Sequence, residues 1–92
     1  MVHDPNTRET LGLVWPVQQL PYLGMWVNEG GWNNLYHAAP EPCTAPFDAW
    51  DVARQWGKLP VIPAFGSQEW ELRITVGLAE NPQRVELDGT IL

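Results

Sequence analysis

The groups in this chain whose types and spacing could do chemistry gather between Leu20 and Thr44. Glu41 lies between Pro40 and Pro42, and His37 precedes it by four residues. Each proline ring fixes its own φ, and Pro42 also pushes Glu41 towards an extended conformation, so the carboxylate sits on stiffened backbone. In a regular strand residues 37 and 41 point to the same face, two pleats apart. A glutamate and a histidine so placed could do base and acid work, and partial desolvation of Glu41 beneath aromatics would raise its pKa towards the working range. The bland alternatives are an exposed turn carboxylate and a histidine that is hydrogen-bonded or solvent-facing.

Trp26, Trp32 and Tyr36 could offer flat faces to the apolar side of a ring, and Asn28 and Asn34 could supply donors and acceptors for its hydroxyls. The same tryptophans serve equally as core or interface packing. Trp32, beside Gly30 and Gly31 in a turn, is the one least suited to a pure core role. Cys43 is the chain's single cysteine. A nucleophile needs a base and an orienting group, and nothing places His3 or His37 there, so it reads as a buried, inert thiol. Two histidines and one cysteine show no ligand spacing, so no metal and no cofactor are expected.

The elements that must position these residues are mostly strands. Gly12–Gln18 alternates Leu13, Trp15 and Val17, with Pro16 demoting it to an edge. Leu23–Asn28 alternates Leu23, Met25 and Val27 against Gly24, Trp26 and Asn28, the period of a strand with one buried face. Glu29-Gly30-Gly31 breaks it, and Leu35–Ala39 is a further extended run ending at the proline pair. Asp48–Trp56 predicts one short helix, with Asp48 as N-cap, a stripe of Ala49, Val52, Ala53 and Trp56, and Gly57 as the terminating residue. Leu59–Phe65, with Pro60 and Pro63, suits an extended crossover that turns at Gly66-Ser67. Gln68–Leu78 places Trp70, Leu72, Ile74, Val76 and Leu78 on a core face and Glu69, Glu71, Arg73 and Thr75 on a solvent face. Asp88-Gly89 between two apolar triplets is a hairpin signal. The organisation expected is one small domain over 1–92: a loose lead-in at 1–10, a core at 11–78 and a tail at 79–92.

With 92 residues, the chain could bury roughly 60 to 65% of its unfolded surface if it folds alone. Six tryptophans help, at about 150 to 250 Å² each. A net charge of −6, with no run of Lys or Arg, argues against a nucleic-acid partner. No apolar run nears the ~18 residues of a membrane helix, and MVHDPNTRET lacks the regions of a signal peptide. A cytoplasmic protein without a membrane partner is expected, its lone thiol fitting a reducing compartment.

In the order Trp26-Val27-Asn28, Gly30-Gly31-Trp32, Glu41-Pro42-Cys43-Thr44, followed by a short acidic helix, a proline-containing crossover and the WELRITVGL strand, the chain resembles the C-terminal part of aldose 1-epimerase-like (galactose mutarotase-like) proteins. The resemblance covers about residues 11–78. It implies an all-β fold, an antiparallel β-sandwich or curved sheet with one short helix, and a sugar ligand. By position Glu41 resembles the glutamate that takes the anomeric proton in that family. The family domain is several-fold longer, its histidine acid comes from strands this chain lacks, and Pro40 stands where an aliphatic residue is expected. These features imply a carbohydrate-binding module with residual mutarotation at most. The alternative is a non-enzymatic β-module acting through self-association. A sheet cut from a larger sandwich would expose edges and an apolar face, so a symmetric homodimer that completes the sandwich is expected.

Overall fold

A computed structural model describes residues 1–92. Five strands and one helix follow one another: β1 (Val2–His3), β2 (Glu9–Val14), β3 (Tyr22–Glu29), β4 (Tyr36–Cys43), α1 (Trp50–Gln55) and β5 (Arg73–Leu78). The strands make two antiparallel sheets, a three-stranded one in the order β1-β2-β5 and a β3-β4 ribbon. The chain divides into two compact units, Met1–Trp15 with Glu71–Leu92, and Pro16–Trp70. No helix is long and apolar enough to cross a membrane.

In the first unit the amino-terminal residues are not the loose lead-in expected of them. The Asp4 carboxylate accepts the Asn6 amide at 2.8 Å, and the Asp4 and Glu9 backbones close a tight turn with Arg8 at a left-handed φ of 66°. This turn folds β1 back onto β2. The strand expected over Gly12–Gln18 begins three residues earlier and ends at Val14. It stops there because the Pro16 carbonyl accepts the amides of Gln19 and Leu20, which turns the chain.

The tail forms the hairpin that Asp88-Gly89 signals: Glu86 donates to the Thr90 carbonyl, and Val85 bridges Ile91. This hairpin decides which face of the sheet is covered. Gly12 lies so near Val85 that a Cβ there would clash with its side chain, and Gly89 lies nearly as close to Thr75. The hairpin therefore covers the face carrying Thr75 and Gly77. Ile74, Val76 and Leu78, on the other face, are exposed, as are Trp70 and Leu72 before them. The row expected to form the core is therefore exposed, while of the row expected to face solvent Thr75 is half-buried and Glu69, Glu71 and Arg73 remain exposed. Glycine at 12 removes the side chain that would hold the tail away, and a row of apolar residues has no such opening.

The second unit is built on the ribbon, whose register pairs Tyr22 with Cys43, Gly24 with Glu41, Trp26 with Ala39 and Asn28 with His37. Both strands run longer than expected, and β4 passes straight through Pro40 and Pro42. Gly30 and Leu35 share a backbone hydrogen bond just beyond the ladder. Counting back from it in twos makes 28·37, 26·39, 24·41 and 22·43 the bonded pairs. The two prolines fall at alternate, non-bonded positions on an edge strand, where no ladder donor is lost.

The helix starts at Trp50, with Ala49 rather than Asp48 as its N-cap and no side-chain cap bond. Its end is as expected. Gly57 at φ 67° and Lys58 donate to the carbonyls of Arg54 and Ala53, a Schellman closure. Of the expected stripe only Ala53 is buried. Trp50 and Trp56 stay exposed, with Arg54 stacked over Trp50 and Phe47 beside Trp56. Residues 59–72 join no ladder, and the strand expected from Gln68 begins at Arg73. The buried apolar side chains of the whole chain are Leu13, Leu20 and Ala53, so the core is thin.

Candidate functional site on the β3–β4 ribbon

Cross-strand partners share a face, so the register sorts the expected site residues. Trp26, Asn28, His37 and Glu41 lie on one face with Tyr22, Gly24, Ala39 and Cys43. Tyr36 lies on the other with Leu23, Met25 and Val27. It is largely exposed, and its hydroxyl crosses Gly30. Trp32 and Asn34 belong to the connecting loop, where Asn33 and Asn34 both adopt left-handed φ.

One residue organises that loop. Asn28, 7% exposed, donates its side-chain amide to the carbonyls of Trp32 (3.0 Å) and Leu35 (2.8 Å) and accepts the Trp32 amide at 3.0 Å. Both amide protons are thereby committed to the loop. Asn28 is thus the residue that seats Trp32, where a ligand contact was expected.

Trp32 so seated completes an aromatic cluster. Its ring centroid is 5.9 Å from that of Trp26, with the planes tilted by 52°. His37 meets Trp26 edge-on at 4.4 Å and Trp32 at 6.2 Å. His37 is half-buried, and its Nε2 is covered with no hydrogen-bond partner in the protein. Trp26 and Trp32 nevertheless remain about half exposed. The cluster is therefore a surface platform and not a core.

Glu41 lies beyond Trp26 on the same face, as the spacing from His37 requires, but it is exposed. The desolvation expected beneath the aromatics is absent. Across the ribbon stands Gly24, whose missing side chain leaves the carboxylate open to a depression of about 250 Å³, lined also by Tyr22, Cys43, Phe47 and Asp48. A second depression joins Gly24, Glu41 and Asp48 to Trp26. Together they lead from the carboxylate to the indole. The sequence reading missed Gly24 and Asp48. Gly24 was legible only once β4 was known to continue through its prolines, because that continuation sets the register opposite Glu41.

The Cys43 thiol is free, half-buried, and donates to the Glu41 carbonyl at 3.0 Å. No histidine lies beside it to serve as a base. No group of three or more His, Cys, Asp or Glu side chains is placed to hold a metal ion. No family model, curated protein or solved structure matches the chain.

Proposed function

We propose that this chain is a carbohydrate-binding module related to the aldose 1-epimerases, taking a neutral sugar on the ribbon face that carries Trp26, Trp32, His37 and Glu41. The observation that carries this reading is the half-exposed, tilted pair of indoles, joined through the Gly24 depression to an exposed carboxylate. An indole face takes the apolar side of a sugar ring, and a carboxylate accepts from its hydroxyls. Asn34 and Tyr36 would add polar contacts only from the loop and from the opposite face.

Binding is better supported than turnover. Mutarotation on this reading uses Glu41 as base and His37 as acid, yet the anomeric hydroxyl and the ring oxygen share one carbon. The Cα atoms of residues 37 and 41 are about 13 Å apart along a strand, and Trp26 rises between them. Residual mutarotation is the lesser part of the proposal.

A second reading rests on a separate observation, the exposed apolar rows. Leu23, Met25 and Val27 on the back of the ribbon and Ile74, Val76 and Leu78 on β5 are all at least half exposed. Such rows mark contact surfaces. On this reading the chain is a β-module that associates with itself, a homodimer whose second copy completes a sandwich. Both readings fit a cytoplasmic setting, where Cys43 stays reduced.

The test is a titration of 15N-labelled protein with free aldoses, read at the indole N–H signals, with anomer exchange followed in the same samples. Shifts at Trp26 and Trp32 that saturate in the millimolar range and disappear in Trp26→Ala are expected, with Glu41→Gln weakening them. Indole signals unmoved by every aldose would remove the carbohydrate reading.

A further inference from the structure

From the packing around His37 we infer that this residue is a pH-sensitive brace for the indole pair: neutral, its ring holds Trp26 and Trp32 in one arrangement, and protonated it leaves them. That the brace gates sugar binding rests on the carbohydrate reading above. The brace itself does not.

The imidazole is edge-on to both indoles, its centroid 4.4 Å from that of Trp26 at 80° and 6.2 Å from that of Trp32 at 86°. Asn28 seats Trp32 through its backbone, but neither indole nitrogen is hydrogen-bonded within the protein. Contact with the imidazole and with each other is what keeps the two rings in place.

Of the two imidazole nitrogens only Nε2 is both covered and without a hydrogen-bond partner. A neutral ring tolerates this, because one of its nitrogens carries no proton. An imidazolium carries a proton on both, and an enclosed, charged N–H without an acceptor gives up its hydration. The indole faces attract a cation, yet both are half exposed and replace that hydration only in part. His37 is half-buried at the surface, so a turn of its side chain returns the charged ring to water. No carboxylate holds it back. Along β4 the charge on its face is Glu41, two pleats away and beyond the reach of a screened ion pair. On β3 the one charge, Glu29, belongs to the opposite face, and residues 30–35 carry none. His37 is therefore a positioning residue. Without its edge the indoles sample several rotamers, which a stacking ligand must first order, while the β3–β4 ladder stays paired.

The test follows the indole N–H signals and the histidine ring signals of labelled protein between about pH 7.5 and about pH 5, the range in which an imidazole ordinarily takes a proton. His3, the other histidine, bonds Thr10 in the other unit, so a variant that cannot titrate at 37 separates the two. The signals of Trp26 and Trp32 should move with those of the His37 ring, and those of Trp50 and Trp56 should not. In His37→Phe, which keeps an aromatic edge and takes no proton, the pair should be indifferent to pH; His37→Gln serves if that variant does not fold. Wild-type affinity for an aldose should fall about fivefold or more over the same range, and the ratio of the two affinities should approach one in the variant, whatever their absolute values. Indole signals that stay still while the His37 ring titrates overturn the brace. An aldose affinity that is level or higher at the lower pH overturns the gate. Aldoses that bind at neither pH remove the carbohydrate reading, and indoles that still follow His37 then uphold the brace by themselves.

Discussion

At the scale of single residues the ribbon face depends on Asn28 more than on any group that could touch a ligand. Its three hydrogen bonds are made in a nearly water-free position, and they bond the groups that hold Trp32 against Trp26. Asn28→Ala leaves two carbonyls and one amide without that partner. A loss of about 1–3 kcal/mol is expected in urea unfolding, together with broadening of the Trp32 indole signal. Unchanged stability would mean that water replaces the side chain in the loop. Glu41→Gln, by contrast, alters an exposed group and should leave the midpoint within about 0.5 kcal/mol, so an effect of that variant on sugar titrations reports on binding. The extended backbone that carries Glu41 was legible from its prolines. The role of Asn28 was not, because an asparagine at a strand end reads the same whether it faces a ligand or its own loop.

At the scale of elements, two aspartates fasten the turns of the β1-β2-β5 unit. The Asn6 backbone amide, chief among the donors to Asp4, holds that carboxyl below the usual carboxylate range. The Thr90 amide does the same for Asp88, assisted by Arg73. A carboxylate whose folded pKa is depressed stabilises the folded state fully above its unfolded value, near 3.9, and that contribution is lost as pH falls through the folded value. Acidification below about pH 4 should therefore loosen the β1–β2 turn and the tail hairpin before the ribbon, which has no such aspartate turn. Amide shifts of Asn6 and Thr90 followed against pH would read this, and Asp4→Ala should abolish the transition at Asn6 alone. Strand periods located most of these elements. Two features lay beyond a local period. Prolines that would end a central strand are harmless at the non-bonded positions of an edge, so β4 reaches Cys43. And alternation along β5 separates two rows of side chains without saying which one another segment covers. That choice was made about fourteen residues away, by a hairpin that docks where Gly12 leaves room.

At the scale of the whole molecule, the exposed apolar surface is the feature any function must account for. Leu23 and Val27 lie on the back of the ribbon, opposite the proposed sugar face, and about half of each is exposed. Replacing both with threonine keeps β-branched or near-strand character and forfeits little burial in a lone chain. If this face is open in solution, the double variant should match the wild type in unfolding free energy within about 0.5 kcal/mol per site, and binding of an amphipathic dye should fall. If a second copy covers the face, as in a sandwich completed across two chains, the same changes remove buried area. The wild-type thermal midpoint should then rise with protein concentration, and the variant's should rise less. Differential scanning over a hundredfold concentration range separates these outcomes. Because Leu23 and Val27 belong to the β3–β4 ribbon, the outcome reports on the back of that ribbon and leaves its sugar face untouched.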